Sequence, residues 1–328
     1  MSPKIQVESF ATLESEWRKL LPTSATNVVF VTHQWQKAWW EEFGQGKELL
    51  LLSVRDGNEL LGIAPLMRQG KTISFIGDTQ ICDYLDFIVA LGREAEFYPA
   101  LLSYLELHDW ERLELHAIPS TSPTLASFLP LAAQRGFGVE TALEDVCPRL
   151  DLPPTWEAYL DSLDKKDRHE LRRKMRRLTQ RPFRYYAADT DRVSQDLDDF
   201  FRLHRESDED KARFMTPQMA RFFSTVAGSL NEQHHLKLYF LEVAGLRVAT
   251  AMCFDCGEEL LLYNSGYDPA YSSLSVGLLL KAFCVKEAIA AGKRRFDFLR
   301  GPEPYKYDLG GKDLPVYQCL VQRGMAKS

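Results

Sequence analysis

The sequence predicts an α/β (α+β) protein of two tandem domains, each a mixed, mostly antiparallel sheet with flanking helices. Two observations carry that prediction. The first is an order of elements that occurs twice. From Leu49 the run LLLLSV alternates as a strand, Arg55-Asp56-Gly57-Asn58 is a hairpin turn, and LLGIAPLM is its partner. TISFIG, the polar loop CDYLDFIV, a helix from Glu94 to Leu107 and a strand from Arg112 to His116 follow. In the second half LKLYFLEV, the turn Ala244-Gly245, VATAMCFD, ELLLYNSG, a loop, a long apolar helix and RRFDFL come in the same order. Gly57 to Leu113 covers 56 residues and Gly245 to Phe296 covers 51, a match in spacing that favours duplication. The second observation is length, since 328 residues are long for one core. The expected division is 1–150 and 151–328, with Pro153 and Pro154 punctuating the crossing. Two such domains packed together are expected to form a cleft.

Composition excludes several classes. Hydrophobic residues make up 45% and charged residues 26%, as in ordinary globular chains. A net charge of −6 argues against binding DNA by bulk electrostatics. No run approaches the roughly 18 uninterrupted apolar residues of a membrane span. The start, MSPKIQVESF, lacks the apolar core of a signal peptide, so a cytoplasmic location is expected. Trp17, Trp35, Trp39 and Trp40 share helical faces near the N-terminus and read as core. Cys253 and Cys256 form a CxxC inside an apolar strand pattern. With no second pair at zinc spacing they read as structural, and no metal is expected.

The stretch from Tyr263 to Gly311 holds the chemistry. Ser275 is a candidate N-cap, Leu278, Leu279, Ala282, Phe283, Val285, Ala288 and Ile289 recur at helical spacing, and Gly292 ends the helix. A strand, a Ser/Gly turn and bare first-turn amides make an anion site suited to a pyrophosphate. Gly277 in the first turn allows close approach of a ligand. An ordinary serine cap accounts for the same residues. Before this stretch, 163–181 carries nine Lys/Arg against three acids, with Leu163, Leu171, Met175 and Leu178 as an apolar stripe. Arg172, Arg173 and Arg176 lie on the remaining faces, with Arg168, Lys174 and Arg177. A solvated face, a polyanionic substrate such as a nucleotide-linked carrier or tRNA, and an anionic membrane surface all fit such a helix.

Taken together, LGIAPLM with FIGDTQICDYLDFIV, LRRKMRRL, SVGLLL and above all FDFLRGPEPYKYDLGG resemble a known group. The chain resembles a GCN5-related N-acetyltransferase (GNAT) of the CelD/BcsL type, a branch named for cellulose biosynthesis and similar to the Fem aminoacyl-transferases of peptidoglycan cross-bridges. The likeness runs from about Leu49 to Gly310. It implies two GNAT-like domains, the first degenerate and the second retaining the acyl-donor site. The pyrophosphate of acetyl-CoA or another acyl-CoA would lie on Ser272, Ser273, Ser275, Val276 and Gly277. These replace the usual Arg/Gln-x-x-Gly-x-Gly/Ala loop, and the Fem relatives take aminoacyl-tRNA as donor instead. The tryptophan and glycine pattern common after Leu203-His204 is also missing.

Acyl transfer to an amine or hydroxyl requires a base, oxyanion donors and an acid for the leaving group. The closing loop offers Glu303 as base, Tyr305 as acid and Lys306 as a cation for phosphate or oxyanion, with Arg300 beside them on the substrate side. Asp297, Asp308, His204 and Glu206 are further candidates. From the first half Asp83, Tyr84 and Asp86 are expected to face the cleft and bind the acceptor, a small molecule, glycan or peptide. An N- or O-acyltransferase, a tRNA-dependent aminoacyl-transferase and a non-catalytic fold binding an anionic glycan or membrane remain open.

Overall fold

The computed structural model describes residues 3–323. In chain order the elements are β1 (Lys4–Val7), α1 (Phe10–Leu20), α2 (His33–Phe43), β2 (Glu48–Asp56), β3 (Glu59–Gln69), β4 (Thr72–Phe75), β5 (Ile88–Val89), α3 (Glu94–Glu106), β6 (Arg112–Pro119), α4 (Leu129–Gln134) and β7 (Gly138–Asp151). Then come α5 (Trp156–Ser162), α6 (Lys165–Leu178), β8 (Phe183–Ala187), α7 (Val193–Glu206), α8 (Glu209–Phe214) and α9 (Pro217–Glu232). The chain closes with β9 (Leu236–Val243), β10 (Leu246–Cys256), β11 (Glu259–Tyr267), α10 (Val276–Ala290), β12 (Arg295–Asp297), α11 (Pro304–Asp308) and β13 (Lys312–Gln322). Helix starts follow local chemistry. Ser9, Thr32, Thr155 and Thr216 accept amide protons of the first turns of α1, α2, α5 and α9 through their side chains.

Contacts divide the chain into two compact units, one running to Asp145 and resuming at Leu314, the other comprising Val146–Asp313. In the first unit the strands lie in the order β1-β2-β3-β4-β6-β13, with β5 on β3. β2, β3 and β4 form an antiparallel meander, α3 crosses over, and β6 returns parallel to β4 through Thr72–Ser74. Tryptophans 17, 35 and 39 are buried as core, and Phe87 stacks edgewise on Phe75, Tyr98 and Phe128.

The second unit repeats the order. The end of β7 is followed by β12-β11-β10-β9-β8. β9, β10 and β11 are an antiparallel meander, α10 crosses over, and β12 returns parallel to β11. Strand alternation sends Tyr239, Leu241, Ala251 and Cys253 into one core with Leu279, Phe283 and Val285 of α10. Phe254 and Tyr263 meet Phe223 of α9 instead. Each unit is thus a mixed, mostly antiparallel sheet with flanking helices, as the repeated pattern predicts.

The first-half acceptor residues are placed differently from expectation. Asp86 is 1% exposed and accepts hydroxyl protons from Thr26 (2.6 Å), Ser122 (2.5 Å) and Thr124 (2.5 Å) and the Phe87 amide (2.9 Å). It knits the loop before α2 to the segment after β6 within its own unit. Tyr84 is buried beside Phe30. Only Asp83 of the three is partly exposed. The sequence shows an Asp/Tyr loop, but not that hydroxyls 36 to 60 residues away will close over one of its carboxylates. Asp86→Ala is expected to lower the unfolding free energy by about 2–4 kcal/mol, read from urea denaturation, because several buried hydroxyls lose their common charged acceptor.

Candidate acyl-donor site in the second unit

The site begins with a strand that outruns its partner. β11 extends to Tyr267, yet its parallel pairing with β12 covers only Glu259–Leu261 against Arg295–Asp297. Beyond Leu261 the two strands part company, and β11 is further bent by an irregularity opposite Met252/Cys253. β10 pairs with this stretch along its other edge, α7 packs on its face, and α8 reaches it through a lysine. An added Cβ at Gly266 would meet the Leu203 carbonyl and His204 amide at 2.4 Å, so only glycine permits this approach of strand to helix. Lys211 Nζ of α8 donates to the Ser265 carbonyl at 2.6 Å. His204, 1% exposed, lies 3.3 Å from Asn264 Oδ1 through Nε2, while its Nδ1 has no protein partner.

At the end of β11 the chain makes a 3₁₀ turn, Pro269–Leu274, started by Asp268, whose carboxylate accepts the Ala270 amide. Ser275 is the N-cap of α10 by position, but it sits in the left-handed region (φ 56°) and its side chain caps nothing. This departs from the expected serine cap. The hydroxyl is turned away, leaving the amides of the first turn without a side-chain acceptor at the positive end of a 15-residue helix. Ser272 and Ser273 are exposed, Ser275 and Gly277 are partly so, and Val276 is buried. The space expected beside Gly277 is taken by the ring of Tyr267, 3.0 Å from an added Cβ.

α6 runs alongside this turn. Leu171 and Leu178 are buried and Met175 is half-buried against the core shared with α10. Arg177 reaches the turn and donates to the Ser273 carbonyl at 2.8 Å. Helical spacing puts Lys174 on the same flank as Arg177, whereas Arg172 and Arg176 fall on the other. Arg172 lies 3.6 Å from Asp161 and Arg173 is held by Glu170 at 2.6 Å. Of the basic residues named from sequence, the one that touches the turn was not singled out.

The closing loop is built around Lys306. Asp297 accepts from the Leu299 amide (2.7 Å) and from Arg149 Nε (2.7 Å), which occupies both its oxygens. Leu299 is forced to φ 58° and Gly301 to φ 107°, turning successive carbonyls inward. Lys306, 1% exposed, donates to the carbonyls of Leu299 (2.8 Å), Arg300 (2.6 Å) and Gly301 (3.0 Å) and lies 2.9 Å from Glu303. The expected cation for substrate is therefore committed to the loop's own oxygens. Glu303 is exposed on the outer side of that pair. Tyr305 is half-buried between Phe298 and Lys281, and burial pushes its phenol above the usual range, so it is protonated at neutral pH. Asp308 is exposed, and Glu206 is paired with Arg202 at 3.1 Å.

Sequence reasoning passed over two lysines of this unit, Lys211 at the Ser265 carbonyl and Lys281 beside Tyr305. Lys281, one turn into α10, has its ammonium 4.6 Å over the Tyr305 ring. Burial, and then the charge of Lys211, hold its pKa down to about 7. A lone lysine inside the apolar run LLLKAFCV was the available signal. Lys211 is lowered in turn, chiefly by burial. A separate cavity of about 850 Å³ lies by β8 and α7, where Arg247 is paired with Asp196 (2.7 Å) and Asp199 (3.0 Å) and Arg184 with Glu242 (2.5 Å). Among the described residues no group of three or more His, Cys, Asp or Glu is placed to hold a metal, no two of the six cysteines are joined, and no helix is long and apolar enough to cross a membrane.

A mixed sheet with a crossover helix, β11 running on past its pairing with β12, gives this unit a GNAT-like fold. Residues 165–307 match the family profile described as an acetyltransferase (GNAT) domain. The whole chain is similar in fold to the crystal structure of FemX, at 10% identity and a TM-score of 0.67 over 96% of each chain. It is similar to the C-terminal domain of a putative lysylphosphatidylglycerol synthetase from Agrobacterium fabrum, at 13% identity and a TM-score of 0.60, covering 96% of this chain and 93% of that one. A tandem GNAT protein from the clavulanic acid biosynthesis pathway aligns over 99% of this chain and all of its own length, at 13% identity and a TM-score of 0.52. No curated protein matches in sequence. At these identities the likeness is one of fold.

Two outcomes follow from this geometry. Lys306→Ala should cost about 2–4 kcal/mol in chemical denaturation, since three carbonyls lose one charged donor. Lys306→Arg should restore little, because the fork of a guanidinium does not fit three converging oxygens. The second concerns His204, whose pKa burial lowers from 6.5 to about 4. The unfolded chain binds this proton below pH 6.5 while the folded chain does not. Stability is therefore full above that pH and falls as pH drops toward 4, by up to about 1.4 kcal/mol per unit. His204→Gln should flatten that limb in denaturation curves taken between pH 7 and 4.5.

Proposed function

We propose that the chain is an acyltransferase that moves an acyl group from acyl-CoA, acetyl-CoA included, to an amine or hydroxyl of a sugar, peptide or envelope precursor. The observation that carries this reading is the parting of β11 from β12 after three paired residues, within a segment that matches an acetyltransferase (GNAT) domain. Past Leu261 β11 runs on without β12, where an extended donor arm would lie along it, and the strand leads straight into the Pro269–Leu274 turn. There the first-turn amides of α10 and Arg177 attract the donor's phosphates. The second unit would carry the donor site, and the first would be its degenerate companion. A cytoplasmic setting and a CelD/BcsL-like place in polysaccharide biosynthesis belong to the same proposal.

In this mechanism the acceptor attacks the thioester carbon and Glu303 takes its proton. The oxyanion is held by amides on the open edge of β11. The carbon–sulfur bond then breaks and the Tyr305 hydroxyl gives its proton to the thiolate. A protonated, half-buried phenol suits that last step. Lys306 acts by holding the loop that presents both groups.

A donor with a larger polyanionic carrier, an aminoacyl-tRNA, is the second reading. It is favoured by the basic flank of α6 next to the turn and by the likeness in fold to FemX. Thermal shift separates the two. An acyl-CoA at about 100 times its dissociation constant should add roughly 2.7 kcal/mol of stability. Arg177→Ala should weaken that donor about tenfold. Tyr305→Phe should keep the shift but cut turnover about 100-fold on any acceptor found. Absence of a shift with every acyl-CoA, together with a stable tRNA complex, transfers the assignment to the second reading.

A further inference from the structure

One ionisable side chain interrupts the apolar run of α10. Lys281 follows Leu279 and Leu280 and precedes Ala282 and Phe283, all four buried, yet is itself partly exposed. Its stem leans back toward the helix start, and Nζ lies 3.4 Å from the Gly277 carbonyl of the first turn. Nζ also lies 4.6 Å from the centroid of the Tyr305 ring, which α11 presents from the closing loop. Gly277 in turn packs against the Tyr267 ring at the end of β11. The amine is thereby seated between the helix start and the phenol of the closing loop. Both contacts are uncharged. Among the described residues Lys281 has no carboxylate within 4.0 Å, Glu303 being paired with Lys306 at 2.9 Å.

A long carbonyl contact and a ring face compensate an ammonium poorly for the water it has lost. The neutral form gains, and burial brings the pKa down to about 7. At pH 7.5 most of Lys281 is free amine, whereas an ordinary lysine of pKa about 10.4 is so in about one molecule in a thousand. An unprotonated amine is a nucleophile toward activated acyl groups. Its place matters as much as its charge. The first turn of α10 is where the donor's phosphates would bind, and Tyr305 is the acid for the leaving thiolate. Lys281 touches both. A donor spanning these two points carries its thioester past this amine.

We propose that Lys281 is a self-acylation site: with a donor bound and no acceptor present, its amine takes the acyl group. The source of that group rests on the acyl-transfer reading. The nucleophilic amine on the face of Tyr305 does not. The nitrogen adds to the thioester carbon, and the carbon–sulfur bond breaks. The departing thiolate takes the Tyr305 proton, and the newly bonded nitrogen gives up one of its own to the phenolate. Acyl-CoA and lysine become acyl-lysine and CoA thiol. The resulting amide is too unreactive to pass the group on, so the modification caps the site and is no step of turnover.

Peptide mass mapping of the full chain, after incubation with isotopically labelled acetyl-CoA at pH 7.5 and no acceptor, locates the acyl group. Lys281 should be acetylated at least about tenfold faster than the exposed Lys166 of α6. A parallel arm with p-nitrophenyl acetate reports the amine without any donor site, since nitrophenolate leaves without an acid. It should choose Lys281 first as well. Tyr305→Phe keeps the ring and removes the hydroxyl, so it should slow labelling by acetyl-CoA about tenfold and leave labelling by the ester unchanged. Equal rates for parent and Tyr305→Phe with acetyl-CoA, or no preference of the ester for Lys281, would overturn the proposal. Acetyl-CoA that raises thermal stability but labels Lys281 no faster than Lys166 also overturns it, and leaves the acyl-transfer reading standing. Ester labelling at Lys281 with neither a thermal shift nor labelling by any acyl-CoA overturns both, and places the fault with the donor.

Discussion

Everything in the second unit depends on three residues of parallel pairing, Glu259–Leu261 with Arg295–Asp297. Were β12 to follow β11 to its end, the sheet would be continuous and closed to ligands. Because it stops, the backbone of the outer half of β11 must find other partners. Lys211 caps the Ser265 carbonyl, and Gly266 lets α7 come into close contact with the strand. What is left is a strand whose outer half runs on inside a folded unit without a parallel neighbour.

The loop after β12 turns that edge into a site. Its carbonyls are directed inward by left-handed backbone at Leu299 and by Gly301, a conformation with its own cost. One buried ammonium gathers the three oxygens and so fixes where Glu303 and Tyr305 stand. Rigid placement of neighbouring polar side chains by one buried cation is a common device in preorganised loops.

The meanders of both units were legible because alternation and Gly-centred turns are local signals. The long helix α10 was legible for the same reason, from its apolar run and its terminal Gly292. The site was less so. Lys306 was visible as a basic residue in a polar loop, but not its three carbonyl partners, since these depend on backbone angles at Leu299 and Gly301. Ser275 was visible at the helix start, yet which way its hydroxyl turns follows from a left-handed φ that no serine announces. In α6 the density of bases is plain in the sequence. That Arg177 touches Ser273 follows only from which face Leu171 and Leu178 bury. Asp86 failed for a related reason, its hydroxyl partners coming from Thr26, Ser122 and Thr124, far apart in the chain.

The last strand has a consequence for how the protein is made. β13 pairs with β6 from Val316 to Gln322, so the first unit takes one of its strands from the last part of the chain. As the ribosome works, Arg112–Pro119 therefore remains an uncovered edge through the synthesis of nearly two hundred further residues. The second unit, whose strands all lie between Val146 and Asp313, is complete sooner. The half that is translated first is the half that is finished last.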